Sequence, residues 1–460
     1  MVLHMSLPQD AAGWLSRGRM LVAAGQHREA LQALTAAERL EPGLADVQSA
    51  LADIHDALGN AAEATTARWA AMALEARSAP GLYNLATVYF MAHQYDVAEK
   101  WYRRVLDIDP DMVEANQNMA AICELDGRSG EAARLRARAY RLRNLFVETA
   151  TEKEGHRVLI LAASGLGNVP IEALLPQKTT TRIKWFMEYA ADPAQPLPPY
   201  DTVFNAIGDA DLAGPTLDNV NRFLSSCPCR VLNRPEAVLR TCRHLIGDLL
   251  ADIPDVVVPA VFRWDQGNGP ALAETIAART GWPVLLRPMG SHGGKGVVLA
   301  HGPAELAGAD LPEGEAFYVT AYHDYQSADG FFRKYRMIFV DRQPFAYHLA
   351  ISSSWLVHYG SADMLAHAWK RDEEERFLAH PETALGPRAM AAIAAIAVRL
   401  DLDFAGIDFA LTADGRVLVF ETNATMNVHL NDPPELFPYK HVYVPKIFQA
   451  FDALLGHARL

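Results

Sequence analysis

The chain has 460 residues, of which 50% are hydrophobic and 21% charged, a composition typical of globular proteins with several buried cores. At about 100 to 200 residues per domain, roughly two to four domains are expected. The formal charge of −13 at pH 7 argues against a general binding surface for nucleic acid or anionic lipid. Four cysteines are too few for a disulfide framework.

Targeting and membrane segments are not expected from the residues. Met1 to His4 lack the basic and apolar regions of a signal peptide. The most apolar stretch, residues 389–398, is far shorter than the ~20 residues that span a bilayer. We therefore expect a cytoplasmic protein with no membrane span and no nucleic-acid partner.

Residues 11–146 contain four units that start at 11, 45, 79 and 113 and repeat every 34 residues. Position 20 of each unit is an alanine, and position 8 is always small. These residues are Ala30, Ala64, Ala98 and Ala132, and Gly18, Ala52, Ala86 and Ala120. Small residues let paired helices approach closely, and Pro42 and Pro110 end a helix because proline has no amide hydrogen to donate. Each unit is predicted to be a helical hairpin.

The pattern resembles the tetratricopeptide repeat, including Trp14, Gly18, Ala30 and Pro42 in the first unit. Stacked hairpins of this kind leave a concave surface that usually receives a peptide or another protein, so we expect such a partner here. Residues 134–143 hold five arginines. They are either a docking face for an acidic partner or a solvated outer face, and the solvated face is favoured because charge runs usually serve solvation.

Residues 156–235 read as a small α/β domain. The apolar run 158–162 predicts a buried parallel strand, with further strands at 202–207 and 230–232 and a helix at 216–224. Gly165 and Gly167 do not complete a dinucleotide-binding pattern, because Pro170 occupies its third glycine position. A Rossmann dehydrogenase is therefore rejected.

Four residues between 227 and 244 raise the question of a zinc site. They are Cys227, Cys229, Cys242 and His244. Their C-x-C and C-x-H spacings differ from those of the usual zinc hairpins. Buried structural cysteines are predicted instead.

Residues 282–299 predict a strand, a glycine-rich loop and a second strand. A Walker loop needs Ser or Thr after its lysine and then a helix, whereas Lys295 is followed by Gly296 and β-prone valines. Glycines let backbone amides approach phosphate oxygens, and the lysine adds positive charge. The residues thus indicate a different kind of phosphate loop, with an ordinary glycine hairpin as the alternative.

Residues 404–423 predict a β-hairpin with its turn at 412–416. Asp408 and Glu421 lie in apolar runs, where unpaired charge is costly, so they need a cation or an arginine. Magnesium takes oxygen ligands and shares them with nucleotide phosphates, and Asp408, Glu421 and Asn423 could supply them. Structural acids bonded to backbone or arginine are the alternative.

Together these two segments resemble the ATP-grasp superfamily, in particular the branch of glutathione synthetase, D-alanine ligase and ribosomal-protein glutamate ligase. The resemblance covers about residues 156–450. It implies a multidomain fold: an all-α tetratricopeptide-like superhelix (11–146), an α/β pre-ATP-grasp domain (156–235) and an α+β ATP-grasp clamp (236–456).

The resemblance also implies ATP and two magnesium ions as cofactors, with manganese as the alternative ion. The metal ligands would be Asp408, Glu421 and Asn423, and the catalytic residues Lys295 and Arg336. The implied nucleotide-binding residues are Arg287, Ser291, His292, Gly293, Gly294, Lys295, Tyr318, Val319 and Asp324. Residues 317–320 resemble the family's hinge strand, whose backbone would read the adenine base. Arg287 stands where relatives usually have a lysine, and Asp324 substitutes for a carboxylate that relatives often place directly after the hinge strand.

The implied reaction is the ATP-dependent joining of a carboxylate to an amine through an acyl phosphate. Arg336, Asn427 and His429 would contact the substrates, which would include a small molecule or amino acid and a peptide or protein presented by the repeats. A phosphotransferase and a scaffold that merely binds nucleotide are the alternatives. The residues identify neither the acid nor the amine.

Overall fold

The computed structural model describes residues 8–153, 155–192, 195–265, 270–290, 294, 296–309 and 316–456. The chain divides into two compact units, one that ends at Asn144 and one that begins at Leu145. Four residues predicted to contact the nucleotide lie outside the described residues. They are Ser291, His292, Gly293 and Lys295.

The first unit consists of four helical hairpins, as its repeat predicts. The helices are α1 (Ala11–Ala23), α2 (His27–Leu40), α3 (Ala45–Ala57), α4 (Ala61–Glu75), α5 (Ala79–Met91), α6 (Tyr95–Ile108), α7 (Val113–Leu125) and α8 (Ser129–Leu142). The first helix of each hairpin begins where the predicted unit begins, at 11, 45, 79 and 113. The repeat assignment is therefore confirmed in its register.

The residues that repeat in phase explain how the hairpins close. All four alanines at position 20 are fully buried. At position 8, a Cβ added to Gly18 would lie 2.6 Å from Leu34 Cδ2, so the Leu34 side chain packs directly against the glycine where α1 and α2 meet. Position 15 is left-handed in every unit, with φ of 72° at Gly25 and 59° at His93, and it ends the first helix of each pair.

The arginine run 134–143 lies on α8 and just beyond its end. Arg136 pairs with Glu124 at 2.8 Å, and Arg138 pairs with Asp111 at 3.0 Å. Carboxylates of the same unit thus neutralise part of the run. This agrees with the solvated outer face rather than a free basic surface.

The second unit opens with a five-stranded sheet, ordered β1-β3-β2-β4-β5. The strands are β1 (Leu145–Glu148), β2 (His156–Ala162), β3 (Thr180–Phe186), β4 (Thr202–Asn205) and β5 (Arg230–Leu232). Helix α9 (Leu217–Leu224) lies between β4 and β5 in the chain, and α10 (Pro235–Leu239) and α11 (Ile246–Leu250) follow β5. β2 to β5 pair in parallel and β1 is antiparallel at the edge. The predicted strands β2, β4 and β5 and the helix α9 are confirmed, whereas β1 and β3 were not anticipated.

Two further sheets complete this unit. The first, ordered β7-β10-β8-β9, is antiparallel throughout, and the second is ordered β12-β11-β13-β14-β6. The strands are β6 (Val256–Val257), β7 (Val261–Trp264), β8 (Val284–Pro288), β9 (Val298–Ala300), β10 (Phe317–Ala321), β11 (Phe332–Val340), β12 (Gln343–Ser352), β13 (Phe404–Leu411) and β14 (Val417–Asn423). Both predicted strand pairs, β8 with β9 and β13 with β14, form.

The remaining helices pack on these sheets. They are α12 (Pro270–Arg279), α13 (Pro303–Ala307), α14 (Ala368–Ala379), α15 (Pro381–Leu400), α16 (Lys440–Tyr443) and α17 (Pro445–Gly456). The first and third sheets share one hydrophobic core with α17, in which Phe204, Phe404 and Phe451 are fully buried. The division of this unit near residue 235 stays a prediction.

Helix α15 is, among the described residues, the one helix whose length and composition would allow it to cross a membrane. Its face with Ala389, Ile393, Ile396 and Leu400 is buried in the core with residues of the third sheet. Packing inside this unit therefore accounts for its apolar composition.

Candidate active site

Four polar residues form a row across neighbouring strands of the third sheet. Glu421 on β14 lies opposite Asp408 on β13, Asp408 lies opposite Arg336 on β11, and Arg336 lies opposite His348 on β12. Directly opposite residues in antiparallel strands project from the same face of the sheet. The four side chains therefore lie side by side.

Two β-bulges flank this row. The register shifts beside Arg336, where Tyr347 is the extra residue, and beside Asp408, where Phe420 is the extra residue. A bulge bends its strand and changes the direction of the side chains next to it. As a result Tyr347 and His348 both line the same cavity, although consecutive residues of a regular strand would point to opposite faces.

Asp408 is almost completely buried and is held by two cations. Arg336 donates through Nε to Oδ1 at 2.6 Å and through its NH2 group to Oδ2 at 2.9 Å, and Lys334 Nζ lies 3.2 Å from Oδ2. Burial by itself would raise the pKa of the Asp408 carboxyl, but Arg336 and Lys334 outweigh burial and lower that pKa far below its ordinary value. Asp408 is therefore ionised at neutral pH.

Glu421 is held in a similar way. Its Oε2 lies 2.8 Å from an amino group of Arg243, and its Oε1 accepts a hydrogen bond from Asn423 Nδ2 at 2.8 Å. Burial would raise the pKa of the Glu421 carboxyl, whereas Arg243 and Arg287 lower it, and the balance brings it to about 2. The second acid of the row is thus ionised as well.

Positive charge exceeds negative charge at this end of the cavity. Arg287, on β8, has no ion pair with a carboxylate among the described residues, and burial together with Arg243 lowers its pKa to about 10. The cations that line this end are Arg243, Arg287, Lys334 and Arg336, against the two acids Asp408 and Glu421. Such an excess attracts an anion with several charges.

The row forms one wall of a cavity of about 890 Å³, which lies within the usual size range of small-molecule sites. A different part of its lining is mostly apolar. The apolar residues there include Val258, Pro259, Val261, Leu285, Leu418 and Phe420. One cavity thus combines apolar lining residues with cationic ones.

The segment predicted to contact the nucleotide base lies at the edge of this cavity. Tyr318 and Val319 are buried within β10, which pairs with β7 on one side and β8 on the other, and the Tyr318 hydroxyl donates to Asp211 at 2.7 Å. The cavity wall is formed by the residues that follow, 320–323. Asp324 is exposed and accepts a hydrogen bond from the backbone N–H of Gln326, so it shapes a turn.

The described part of the glycine loop also reaches the cavity. Gly294 lines it, and Gly294 and Gly296 have φ of 79° and 72°. L-residues with side chains rarely adopt this conformation, so the loop needs glycine at both positions. The rest of the predicted loop lies outside the described residues.

The other end of the cavity is polar and aromatic. Tyr347, His348, Tyr359, Asp432 and Lys440 line it, as do the predicted substrate residues Asn427 and His429. The backbone N–H of His429 donates to the Tyr347 hydroxyl at 3.0 Å, which joins the segment after β14 to strand β12. Arg336, a cation of the other end, lies opposite His348 of this end in the sheet.

A closed hydrogen-bond network supports the polar end. Lys440 Nζ donates to Asp432 at 2.7 Å and to the Tyr359 hydroxyl, and lies 4.2 Å from the centre of the Tyr359 ring. Fully buried Glu374 accepts from Tyr359 at 3.1 Å, from Tyr439 at 2.6 Å and from a backbone N–H. Buried polar groups that are satisfied in this way hold their side chains in fixed positions.

The donor set of Asp408, Glu421 and Asn423 suits a hard cation. Two of the three are ionised carboxylates in direct register. In this structure, however, their oxygens have protein partners: Arg336 and Lys334 hold Asp408, Arg243 holds Glu421, and Asn423 Oδ1 accepts from Thr425. This is the pairing with arginine that the sequence offered as the alternative, so an ion would bind in place of some of these contacts. No cluster of three or more His, Cys, Asp or Glu residues arranged for a metal occurs among the described residues. Two carboxylates and one amide fill only part of an octahedral magnesium shell, so these residues fit an ion that shares further oxygens with bound phosphates.

Sequence reasoning missed several residues of this site. Lys334 lies two positions before Arg336, and the period of two in a strand could have placed both on one face. Arg243 lies between Cys242 and His244, a segment weighed only for zinc; among the described residues Cys242 Sγ contacts Asp211 at 3.0 Å and no metal cluster forms. Nothing local in the sequence connects Arg243 to Glu421.

Comparison with known proteins gives similarity in both units. Residues 79–112 match the tetratricopeptide repeat family model. The VanG D-Ala:D-Ser ligase of Enterococcus faecalis is 12% identical, with 66% of this chain and 99% of that chain covered and a TM-score of 0.42. A RimK-domain ATP-grasp protein of Sphaerobacter thermophilus is 18% identical, with 65% of this chain and 100% of that chain covered and a TM-score of 0.38.

A third similar structure is the ATP-grasp ligase PsnB in complex with a precursor peptide and AMPPNP, at 14% identity, 66% and 99% coverage and a TM-score of 0.38. No curated protein matches the chain by sequence. The fold class expected from the sequence, helical repeats followed by α/β and α+β regions, is the one observed.

Proposed function

We propose that this protein is an ATP-dependent ligase that joins a carboxylate to an amine through an acyl phosphate. The observation that carries the proposal is the cationic end of the cavity, where four cations surround two ionised carboxylates. A nucleoside triphosphate would neutralise the excess positive charge, and its base would occupy the apolar region. The same cavity continues past Arg336 into a polar end with room for a second substrate.

Most of the predicted residues have a place in this proposal; Asp324, which shapes a turn, has none. Asp408, Glu421 and Asn423 would hold two magnesium ions against the phosphates, and Arg243 and Arg287 would bind phosphate oxygens. The loop with Ser291, His292, Gly293, Gly294 and Lys295 would cover them. Residues 320–323, which follow Tyr318 and Val319, line the cavity and are the proposed contacts to the base.

The proposed reaction activates the carboxylate before the amine attacks it. A carboxylate is a poor electrophile at neutral pH, and transfer of a phosphoryl group gives it a leaving group. Arg336, between the acids and the polar end, would stabilise the negative charge that develops on the transferred group. Bound magnesium supplies further charge neutralisation. The surrounding walls limit the access of water, which would otherwise hydrolyse the acyl phosphate.

We further propose that the repeats recruit a peptide or protein substrate. Stacked helical hairpins bind extended chains on their concave face, and tethering raises the effective concentration of a substrate at the ligase site. The test compares the full chain with residues 145–460, a cut placed before β1 because β1 pairs with β3. Loss of ATP binding in the shorter chain would show that the repeats are part of the nucleotide site. The use of ATP suits a cytoplasmic location.

The decisive experiment traps the acyl phosphate. Purified protein is incubated with MgATP, hydroxylamine and a mixture of the twenty amino acids and random peptides, and ADP and hydroxamate are measured. ADP with hydroxamate supports the ligase. A phosphorylated product without hydroxamate would indicate a phosphotransferase, and nucleotide binding without ADP release would indicate a scaffold.

A further inference from the structure

We infer that His348 accepts the proton of the attacking amine nitrogen, and that the polar end of the cavity beside it is the amine subsite. This inference rests on the proposed ligase function and adds a residue to it. The carrying observation is the position of His348 at the end of the row Glu421, Asp408, Arg336, His348.

The spacing of the row matches the geometry of the transfer. Adjacent strands lie about 4.8 Å apart, so His348 is one strand beyond Arg336 and two beyond Asp408. In an acyl phosphate the carbonyl carbon lies next to the phosphoryl oxygen, and an attacking nitrogen approaches that carbon to about 3 Å. With the phosphoryl group at Asp408 and Arg336, the nitrogen arrives on the side of His348.

The surroundings of His348 leave one ring nitrogen without a partner. The residue is 6% exposed, and Nδ1 is buried with no hydrogen-bond partner in the part of the chain that the structure describes. The Tyr359 and Tyr347 rings lie 4.8 Å and 5.2 Å away, centre to centre, and fix the imidazole plane. Buried polar atoms are rarely left unpaired because this costs free energy. Nδ1 is shielded from the cavity, so the nitrogen that can accept a proton from a ligand there is Nε2, on the side of the ring that lines the cavity.

The other two histidines at this end already use the corresponding nitrogen. His358 Nδ1 accepts a hydrogen bond from the backbone N–H of Gly360 at 3.2 Å, and His429 Nδ1 accepts one from the backbone N–H of Asn431 at 3.3 Å. Lys440 is engaged by Asp432 and Tyr359. Nδ1 is thus engaged in His358 and His429, whereas in His348 it has no partner among the described residues.

The charges around His348 keep its ring neutral. Burial, Arg336, Lys334 and Lys440 lower its pKa well below the ordinary value, and Asp408 opposes them only in part. A neutral imidazole has a free lone pair that can accept a proton. It is too weak a base to deprotonate a free alkylammonium ion, so it acts only after the nitrogen has begun to bond to carbon, when the N–H proton is far more acidic.

The step is balanced without any further reactant. The lone pair of the neutral amine forms the C–N bond to the carbonyl carbon, and the nitrogen proton passes to His348. The C–O bond to phosphate then breaks, the electron pair leaves with the phosphate oxygen, and His348 returns the proton to that oxygen. The products are an amide and inorganic phosphate, and His348 ends neutral.

The test separates acyl phosphate formation from amine transfer. The twenty amino acids, which supply both carboxylates and amines, are incubated with MgATP and His348→Asn, with and without hydroxylamine. Hydroxylamine is mostly neutral at pH 7 and needs no protein base. We expect amide formation to fall about 100-fold, the typical contribution of a general base, while hydroxamate formation falls less than about threefold.

Two controls make the result decisive. His348→Gln checks that the effect does not depend on one substitute side chain, with thermal midpoints recorded for both variants, and His301→Asn changes an exposed histidine outside the cavity. Equal losses of amide and hydroxamate, or no loss of amide, would overturn the role of His348. A wild-type protein that releases no ADP under these conditions would remove the ligase proposal and this inference with it.

Discussion

Arginine–carboxylate pairs occur in both compact units, at similar distances but in different surroundings. On the repeats, Arg138 and Asp111 are 3.0 Å apart and their side chains are 51% and 64% exposed. At the cavity, Arg336 and Asp408 are 2.6 Å apart and 21% and 5% exposed. The contact distance therefore does not distinguish the two kinds of pair, whereas their burial does.

The difference in burial sets how much each pair matters to stability. An exposed pair contributes about 0 to 1 kcal/mol, because water screens it and ordering two long side chains costs entropy. Removal of one partner from a buried pair costs about 3 to 5 kcal/mol, because the other charge is left uncompensated. A site that keeps more buried cations than acids gives up stability, and an anionic ligand recovers it.

The largest effect is expected at the acid that faces Arg243. Glu421→Ala should lower ADP release by about 100- to 1000-fold, because it removes an oxygen ligand for magnesium at the point where phosphate charge must be neutralised. Nucleotide binding should also lose its dependence on magnesium. The measurements are ADP release and nucleotide titrations with and without the metal.

The matched control is an acid in a partly buried ion pair away from the cavity. Glu373 binds Arg333 at 2.5 Å and does not line the cavity. Glu373→Ala should lower the thermal midpoint but leave the magnesium dependence intact. Full activity of Glu421→Ala, or tight magnesium-independent binding by the wild type, would contradict the metal assignment.

The next effect concerns the predicted phosphate lysine. Lys295→Ala should slow phosphoryl transfer by about 100-fold, because it removes a positive charge from the loop over the phosphates. The free energy of unfolding should change by less than about 0.5 kcal/mol, as for most surface substitutions. Lys178→Ala, at a lysine whose side chain is 75% exposed, is the control. A large loss of stability would make Lys295 a structural ion-pair partner.

Two arginines of the cavity should respond with opposite signs. Arg336→Met should lower the free energy of unfolding by about 3 kcal/mol, because it leaves Asp408 with Lys334 alone. Arg287→Met should leave that free energy unchanged or raise it by about 1 kcal/mol, because Arg287 has no carboxylate partner in the described residues and lies near Arg243. Denaturant unfolding measures both.

Denaturant unfolding in the presence of MgATP should make the wild type more stable than Arg287→Met. Ligand stabilises the folded state in proportion to its affinity, so the wild type should gain more from MgATP than Arg287→Met gains. An equal gain would show that Arg287 does not contact the nucleotide. A strong destabilisation of ligand-free Arg287→Met would show that this arginine is paired after all.

The sequence predicted those parts of the molecule that depend on local signals. The helix starts at 11, 45, 79 and 113 follow from residues repeated in phase, each of which acts within its own hairpin. The hairpin that brings Asp408 and Glu421 onto adjacent strands follows from a short turn between two apolar runs, and the structure then sets the two residues opposite each other. Both predictions needed contacts only between residues close along the chain.

The remaining site residues come together through long-range pairing. Arg243 meets Glu421, and Lys334 meets Asp408, only after distant segments have folded into one unit. The bulge at Tyr347 decides that His348 lies opposite Arg336, and an insertion of one residue in a strand has no clear sequence signal. Strand β3 was missed because its polar and charged residues, such as Arg182 and Lys184, hide an inner strand.

The smallest effect is expected on the repeats. Arg138→Ala should change the free energy of unfolding by less than about 0.5 kcal/mol, because its partner Asp111 is mostly exposed and water replaces the lost contact. Nucleotide binding and ADP release should also stay unchanged. If ADP release stimulated by a peptide fell while release with free amino acids did not, the run 134–143 would be a docking face for an acidic substrate. The exposed fraction of a charged side chain would then no longer distinguish charges that only solvate the surface from charges that bind a substrate. The two units would differ only in their balance of positive and negative charge.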